Sequence, residues 1–233
     1  MAIRVVGFDL DGTLLHLDQE FIFAYMALLN EIVGTELGVP QLSEAVLAST
    51  AVMCASDGRE GSLAEVFFAD FGGRVGIARS LLQERFDQFY EKEFVQLQRF
   101  SRPVAGVHGL LAEIRSQGCQ LALVTNPVFP LSAIQERLRW AGLEDVPFDW
   151  MTHFEQARTA KPQPQFFQDA ARELRVPATD WLVVGNDLQD DILPARRVGM
   201  QTYWVSEEEA PDKCPKGSGM GAIYGVLDYL KQL

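Results

Sequence analysis

The chain has few cysteines and no long hydrophobic run, and its basic residues are outnumbered. Each shortage excludes something. Three cysteines occur in 233 residues, Cys54, Cys119 and Cys214. Their odd number and wide spacing fit neither a disulfide framework nor a zinc site. Cys119 opens an apolar run and reads as a buried small hydrophobe. No apolar stretch approaches the ~20 residues of a membrane span. Met1-Ala2-Ile3-Arg4 leads straight into a strand and leaves no room for a signal peptide, so the expected compartment is the cytoplasm. Lys and Arg number 20 against 32 Asp and Glu, a net charge of −12. That argues against nucleic acid or an anionic membrane as the main partner. A local site on an acidic protein can still be positive toward a small phosphorylated molecule. There is no internal repeat and no low-complexity tract, and Glu207-Glu208-Glu209 reads as a solvated loop.

What is present begins at Ile3–Phe8, a short apolar run of the kind buried on both faces of a parallel sheet. It ends in Asp9 and Asp11, with Gly12 and Thr13 behind them. Two carboxylates at the end of a buried strand are costly unless a cation or hydrogen bonds compensate. From Phe21 to Val33 the pattern becomes helical and apolar almost all round. A second helix is expected over about 42–54. Ser62-Leu63-Ala64-Glu65 is a capping box opening a third, which Gly72-Gly73 should break. A long amphipathic helix is expected over about 75–94. Nothing between 16 and 98 reads as a parallel-sheet strand.

Past the turn-rich 101–106, strand and helix alternate, as in βα units. Helices are expected over 107–117, 131–141, 163–174 and 191–198. Strands are expected over 120–124, 150–154, 181–184 and 201–205. A polar loop with Pro211 and Pro215 then leads to a closing helix, about 223–232.

Four strand ends carry polar residues, and in a parallel sheet those ends share one edge. They are Asp9 with Asp11; Thr125 with Asn126; Lys161, the one lysine between Lys92 and Lys213; and Asn186-Asp187 leading to Asp190-Asp191. Taken singly these could be turn residues, a helix cap, a solvated lysine and helix N-terminal charge. Hydroxyl, amide and turn N–H groups suit phosphate oxygens, and hard carboxylate oxygens suit Mg²⁺. Together the set is that of a magnesium-assisted, two-carboxylate phosphoryl-transfer site.

These residues carry a resemblance. Asp9-Leu10-Asp11-Gly12-Thr13 is similar to the DxDGT motif of the haloacid dehalogenase (HAD) superfamily. Thr125, Lys161-Pro162 and Gly185-Asn186-Asp187-x-x-x-Asp191 resemble its second, third and fourth motifs. The resemblance implies a Rossmann-like three-layer α/β core with a parallel sheet, over 1–15 and 100–233, and an inserted helical cap over 16–99. It implies Asp9 as the nucleophile and Asp11 as the acid–base. Thr125, Asn126 and Lys161 would hold the phosphoryl oxygens. Asp9, the main-chain carbonyl of Asp11 and Asp187 would hold Mg²⁺, with Asp191 acting through water or orienting that shell. Many relatives carry aspartate where this chain has Asn186, whose side chain is then the alternative donor. An aspartate at position 11 favours phosphate chemistry over dehalogenation. The expected activity is hydrolysis of a small phosphate monoester. A phosphomutase on the same fold and a non-catalytic phospho-ligand binder are the alternatives. Phe21, Tyr25 and Met26 could line the pocket or simply pack the cap, and Arg59 could meet a substrate anion or be solvated.

Overall fold

The computed structural model describes residues 2–206 and 211–233. The run of three glutamates and Ala210 lie outside the described residues. Strand β1 (Val5–Phe8) is buried throughout. The chain then turns into β2 (Leu15–Leu17) and a series of helices: α1 (Phe21–Leu29), α2 (Thr35–Leu37), α3 (Leu42–Ala55), α4 (Leu63–Val75) and α5 (Arg79–Lys92). It returns through β3 (Ser101–Pro103). From there it alternates: α6 (Val107–Ser116), β4 (Gln120–Leu123), α7 (Leu131–Trp140), β5 (Trp150–Met151), α8 (Pro164–Glu173), β6 (Trp181–Gly185), α9 (Leu193–Arg197), β7 (Gln201–Val205), β8 (Gly219–Gly221) and α10 (Val226–Leu230).

Six strands form one parallel sheet in the order β5-β4-β1-β6-β7-β8. Strand β1 lies inside it, flanked by β4 and β6, which is why its residues are apolar without alternation. Val6 and Phe8 pack with Leu121, Leu123, Leu182 and Val184 into the core that also takes α6 and α10. Val5, Ala122, Val124 and Val183 face the other way, onto Phe166, Phe167 and Ala170 of α8 and Ala195 of α9. The α/β core with helices on both faces is therefore as the sequence indicates.

Several local expectations are corrected. Helix α4 runs through Gly72 and Gly73 to Val75 and ends at Gly76, whose φ is 70°. Each glycine costs about 1 kcal/mol inside a helix, and burial of Phe67, Phe68 and Phe71 on the same helix offsets it. The capping box is formed as expected: Ser62 Oγ accepts from Glu65 N, and Glu65 Oε2 accepts from Ser62 N at 2.7 Å. Helix α5 begins at Arg79, not near 75. Strands β2 and β3 pair antiparallel, Leu15 opposite Pro103 and Leu17 opposite Ser101. Three-residue strands are too short for alternation to show. Strand β8 was also missed, since Gly219–Gly221 has no β-forming residue. Its glycines serve close approach: a Cβ on Gly219 would lie 2.4 Å from the Tyr203 ring.

The helices between β2 and β3 rest on the core at defined points. Leu63 N and Ala64 N donate to the carbonyls of Ala157 and Phe154, at 2.8 and 2.9 Å. Gln163 Nε2 donates to the carbonyls of Cys54 and Ser56 at the end of α3. Aromatic rings fill the seam. Tyr25 meets Phe129 at 5.4 Å, and Phe94 stacks on Trp140 at 5.2 Å. Among the described residues no single helix is long and apolar enough to cross a membrane. The apolar segments 21–37 and 42–55 meet at 106° and bury Tyr25, Leu29, Val33, Val46 and Met53 within the protein.

Candidate active site

At the carboxyl edge of the sheet lies a cavity of about 220 Å³. Asp9, Asp11, Thr125, Asn126, Lys161, Asn186, Asp187 and Asp191 all line it. Every position singled out from the four strand ends thus meets in one place.

Asp9 is fixed by the sheet, its N–H donating to the Val184 carbonyl at 2.9 Å. Lys161 Nζ donates to Asp9 Oδ1 at 2.8 Å and to Asp191 Oδ1 at 2.5 Å. All three side chains are almost wholly buried. Burial pushes the Asp9 carboxyl up, Lys161 opposes this, and Asp11 adds to it. Burial likewise raises Asp191 to about 6, with Lys161 opposing and Asp9 adding. Burial would lower Lys161, but Asp191 and Asp9 outweigh it and hold the ammonium above its ordinary range. The lysine stays charged, and the two carboxylates share it.

Asp191 Oδ2 accepts from Asp187 N at 3.0 Å, so both its oxygens are engaged within the protein. Asp187 Oδ1 accepts from Gln189 N and Asp190 N, capping the turn that leads into α9. Asn186 meets the opposite loop, its Oδ1 accepting from Thr13 Oγ1 at 3.1 Å. Gly12 makes that approach possible. Its φ is 87°, and a Cβ there would lie 2.4 Å from Asn186 Nδ2. Thr125 is held from behind: Thr152 Oγ1 donates to its carbonyl at 2.6 Å. Asn126 Oδ1 accepts from Lys161 N at 3.3 Å.

Asp11 is held by a residue that the motif argument missed. Arg137, buried on α7, donates through Nη1 to Asp11 Oδ2. Its guanidinium lies 4.4 Å over the Phe129 ring. The other Asp11 oxygen, Oδ1, is buried without a partner among the described residues. A signal existed in the sequence: Arg137 falls on the apolar stripe Ile134, Leu138 and Ala141, where a charge needs a reason. Arg59 is solvated and pairs with Asp57. Tyr25 and Met26 line a second, apolar cavity, while Phe21 is packed into the core.

Among the described residues no three His, Cys, Asp or Glu side chains form a ready metal cage. Mg²⁺ does not need one, because it takes one or two carboxylates and keeps water and substrate phosphate. The donor chemistry fits it. Five carboxylates line the cavity against one lysine. The buried carboxyl of Asp9 is only partly compensated by that lysine.

Comparison with known proteins gives the family and the fold. A family model described as haloacid dehalogenase-like hydrolase matches residues 3–199. A phosphoglycolate phosphatase of Xanthomonas campestris pv. campestris is 33% identical over 199 residues, covering 84% of this chain and 80% of that one. An N-acetylmuramic acid 6-phosphate phosphatase of Pseudomonas aeruginosa is 28% identical over 206 residues, covering 88% and 82%. The crystal structure of a HAD phosphatase from Thermococcus onnurineus superposes with a TM-score of 0.61 at 19% identity, over 98% of both chains.

Proposed function

The chain belongs to the haloacid dehalogenase-like hydrolases, and on that premise we propose that it hydrolyses a small phosphate monoester through a phosphorylated Asp9. The observation that carries this reading is the buried Asp9–Lys161–Asp191 group at the edge of a cavity open to a ligand. An anionic nucleophile faces the phosphate, and a fixed cation beside it offsets the charge of the phosphoryl oxygens.

Asp9 attacks phosphorus, forming the acyl-phosphate bond as the ester P–O bond breaks. Asp11 gives a proton to the departing alkoxide. Its Oδ1 is the oxygen suited to carry that proton, because Oδ2 is held by Arg137. In the second half Asp11 takes a proton from water. The hydroxide attacks phosphorus, the acyl-phosphate bond breaks, and Asp9 is regenerated with inorganic phosphate. Thr125, Asn126 and Lys161 hold the phosphoryl oxygens. Asp9, the main-chain carbonyl of Asp11 and Asp187 would hold Mg²⁺, with Asn186 Oδ1 alongside and Asp191 positioning Lys161. The metal supplies charge neutralisation for nucleophile and phosphate.

Residues 16–99 act as a cap that excludes water and selects the ester. The lining of the site offers no acid–base pair from this segment to return a phosphoryl group to a sugar hydroxyl, so hydrolysis is favoured over mutase chemistry. The test is phosphate release from an aryl phosphate with Mg²⁺. Turnover should require the metal and vanish in Asp9→Asn. Retention of turnover in that variant would end the covalent reading, and interconversion of sugar phosphates without phosphate release would establish the mutase.

A further inference from the structure

Next to the catalytic cavity lies a second one of about 160 Å³, between the cap helices and the core. Tyr25, Met26, Val46, Phe67, Phe86 and Phe154 are among its walls. Val128 and Phe129 line both cavities, so the two adjoin at the loop after β4. Ile22 and Leu47, about half exposed, also border the second cavity. We propose that this chamber receives the leaving group of the ester, and that the leaving group is an uncharged, mainly apolar alcohol about the size of one aromatic ring. The proposal rests on the phosphatase reading above.

Three features argue for it. The first is size: an apolar cavity of about 150 Å³ admits one benzene ring. The second is charge. Among its lining residues the charged one is Asp87, an anion, so a carboxylate entering the chamber meets repulsion and no counter-ion. Of the buried cations, Arg137 lines neither cavity and is covered by Phe129 and paired with Asp11, Arg85 pairs with Glu36 and Glu93, and Lys161 belongs to the catalytic cavity. The third is hydrogen bonding. The hydroxyls of Tyr25 and Tyr90 are bonded to each other at 2.7 Å, so beside their remaining capacity the lining offers a polyol only the Thr50 hydroxyl and the Asp87 carboxylate. A polar group buried without a partner is expensive. The Xanthomonas and Pseudomonas phosphatases named above act, by their names, on esters of acids. The lining of this chain points away from that class.

The test uses esters of comparable alkyl alcohols, so that leaving-group acidity does not decide the outcome. Phosphate release with Mg²⁺ is measured for benzyl phosphate, methyl phosphate, phosphoglycolate and glycerol phosphate. Benzyl phosphate should exceed phosphoglycolate and glycerol phosphate in kcat/KM by roughly a hundredfold, since apolar pockets discriminate by about 10–200-fold for even one methylene. Thr50→Trp, filling the chamber, should lower benzyl phosphate turnover roughly tenfold more than methyl phosphate turnover. Leu47→Lys, at an exposed border position, should narrow the gap with phosphoglycolate. Preference for phosphoglycolate or glycerol phosphate, or equal loss for benzyl and methyl phosphate in Thr50→Trp, would overturn the inference while leaving the phosphatase intact. Failure to release phosphate from all four esters would sink the phosphatase reading, and the inference with it.

Discussion

Arg137 holds Asp11 from inside the protein. The guanidinium is completely buried, pairs with Oδ2 of the carboxylate and stacks over Phe129. The Asp11 side chain keeps about 30% of its exposure. Oδ2 is therefore fixed, while Oδ1, buried, has no partner among the described residues and is the oxygen proposed to carry the proton.

Arg137 is on this view a positioning residue, and Arg137→Met separates that role from simple packing. Breaking a fully buried ion pair costs about 3–5 kcal/mol. Asp11 retains contact with water, so about 2–3 kcal/mol is expected in a urea melt. In the folded variant kcat should fall at least ~10-fold with KM nearly unchanged, because the loss lies in orientation of the acid. Arg137→Lys should restore part of kcat. An unchanged kcat in folded Arg137→Met would reduce the pair to a structural one.

How far all this could be read from the chain itself differs from residue to residue. Asp9, Thr125 and Asp187 were legible because each follows an apolar run, and a parallel sheet must bring such ends to one edge; Lys161 lies ten residues past the end of β5 and stood out as the one lysine between Lys92 and Lys213. The capping box and the alternation after residue 106 are local patterns, and they held. What the sequence hid was decided by tertiary contact. Helix α4 crosses Gly72-Gly73 because Phe67 and Phe71 are buried elsewhere in the core. Strand β8 exists because glycines admit the Tyr203 and Tyr229 rings. Thr152 reaches the site through carbonyls 27 and 29 positions earlier, those of Thr125 and Leu123.

Asp11→Asn tests the proton transfer. Its main-chain carbonyl, the proposed metal donor, is unchanged by the substitution. Mg²⁺ affinity, followed by thermal shift, should stay close to that of the parent. The loss of a general acid–base should lower kcat by about 10²–10⁴. Turnover at the parental rate would remove the role.

Asn186 and Asp187 divide the fourth strand end between them. Asn186 touches the loop after β1 through Thr13, and Asp187 caps the turn behind it. Asn186→Asp adds a hard anionic oxygen next to that loop and should tighten Mg²⁺ binding roughly tenfold. Asp187→Ala should weaken Mg²⁺ binding and also cost about 1 kcal/mol of stability through the lost cap. Calorimetric titration with Mg²⁺ measures both. An unchanged affinity in Asp187→Ala would transfer the donor role to Asn186.

The last prediction concerns pH and follows from Lys161 serving two carboxylates. Asp191 is raised by burial from 3.8 to about 6. The folded protein therefore holds this proton more tightly than the unfolded chain does. The stability so gained is full below about pH 4 and is lost as pH rises through about 6. Asp9 is raised in the same direction. Lys161 is raised too, and its contribution persists through neutral pH. Asp191→Asn cannot titrate. With EDTA present, the parent should lose stability relative to this variant between pH 4 and 7, by about 1–3 kcal/mol. Saturating Mg²⁺ favours the ionised carboxylates and should shrink that loss. Parallel urea-melt curves for parent and variant across this range would show that Asp191 titrates as it does in the unfolded chain. The shared-lysine account of the site would then fail.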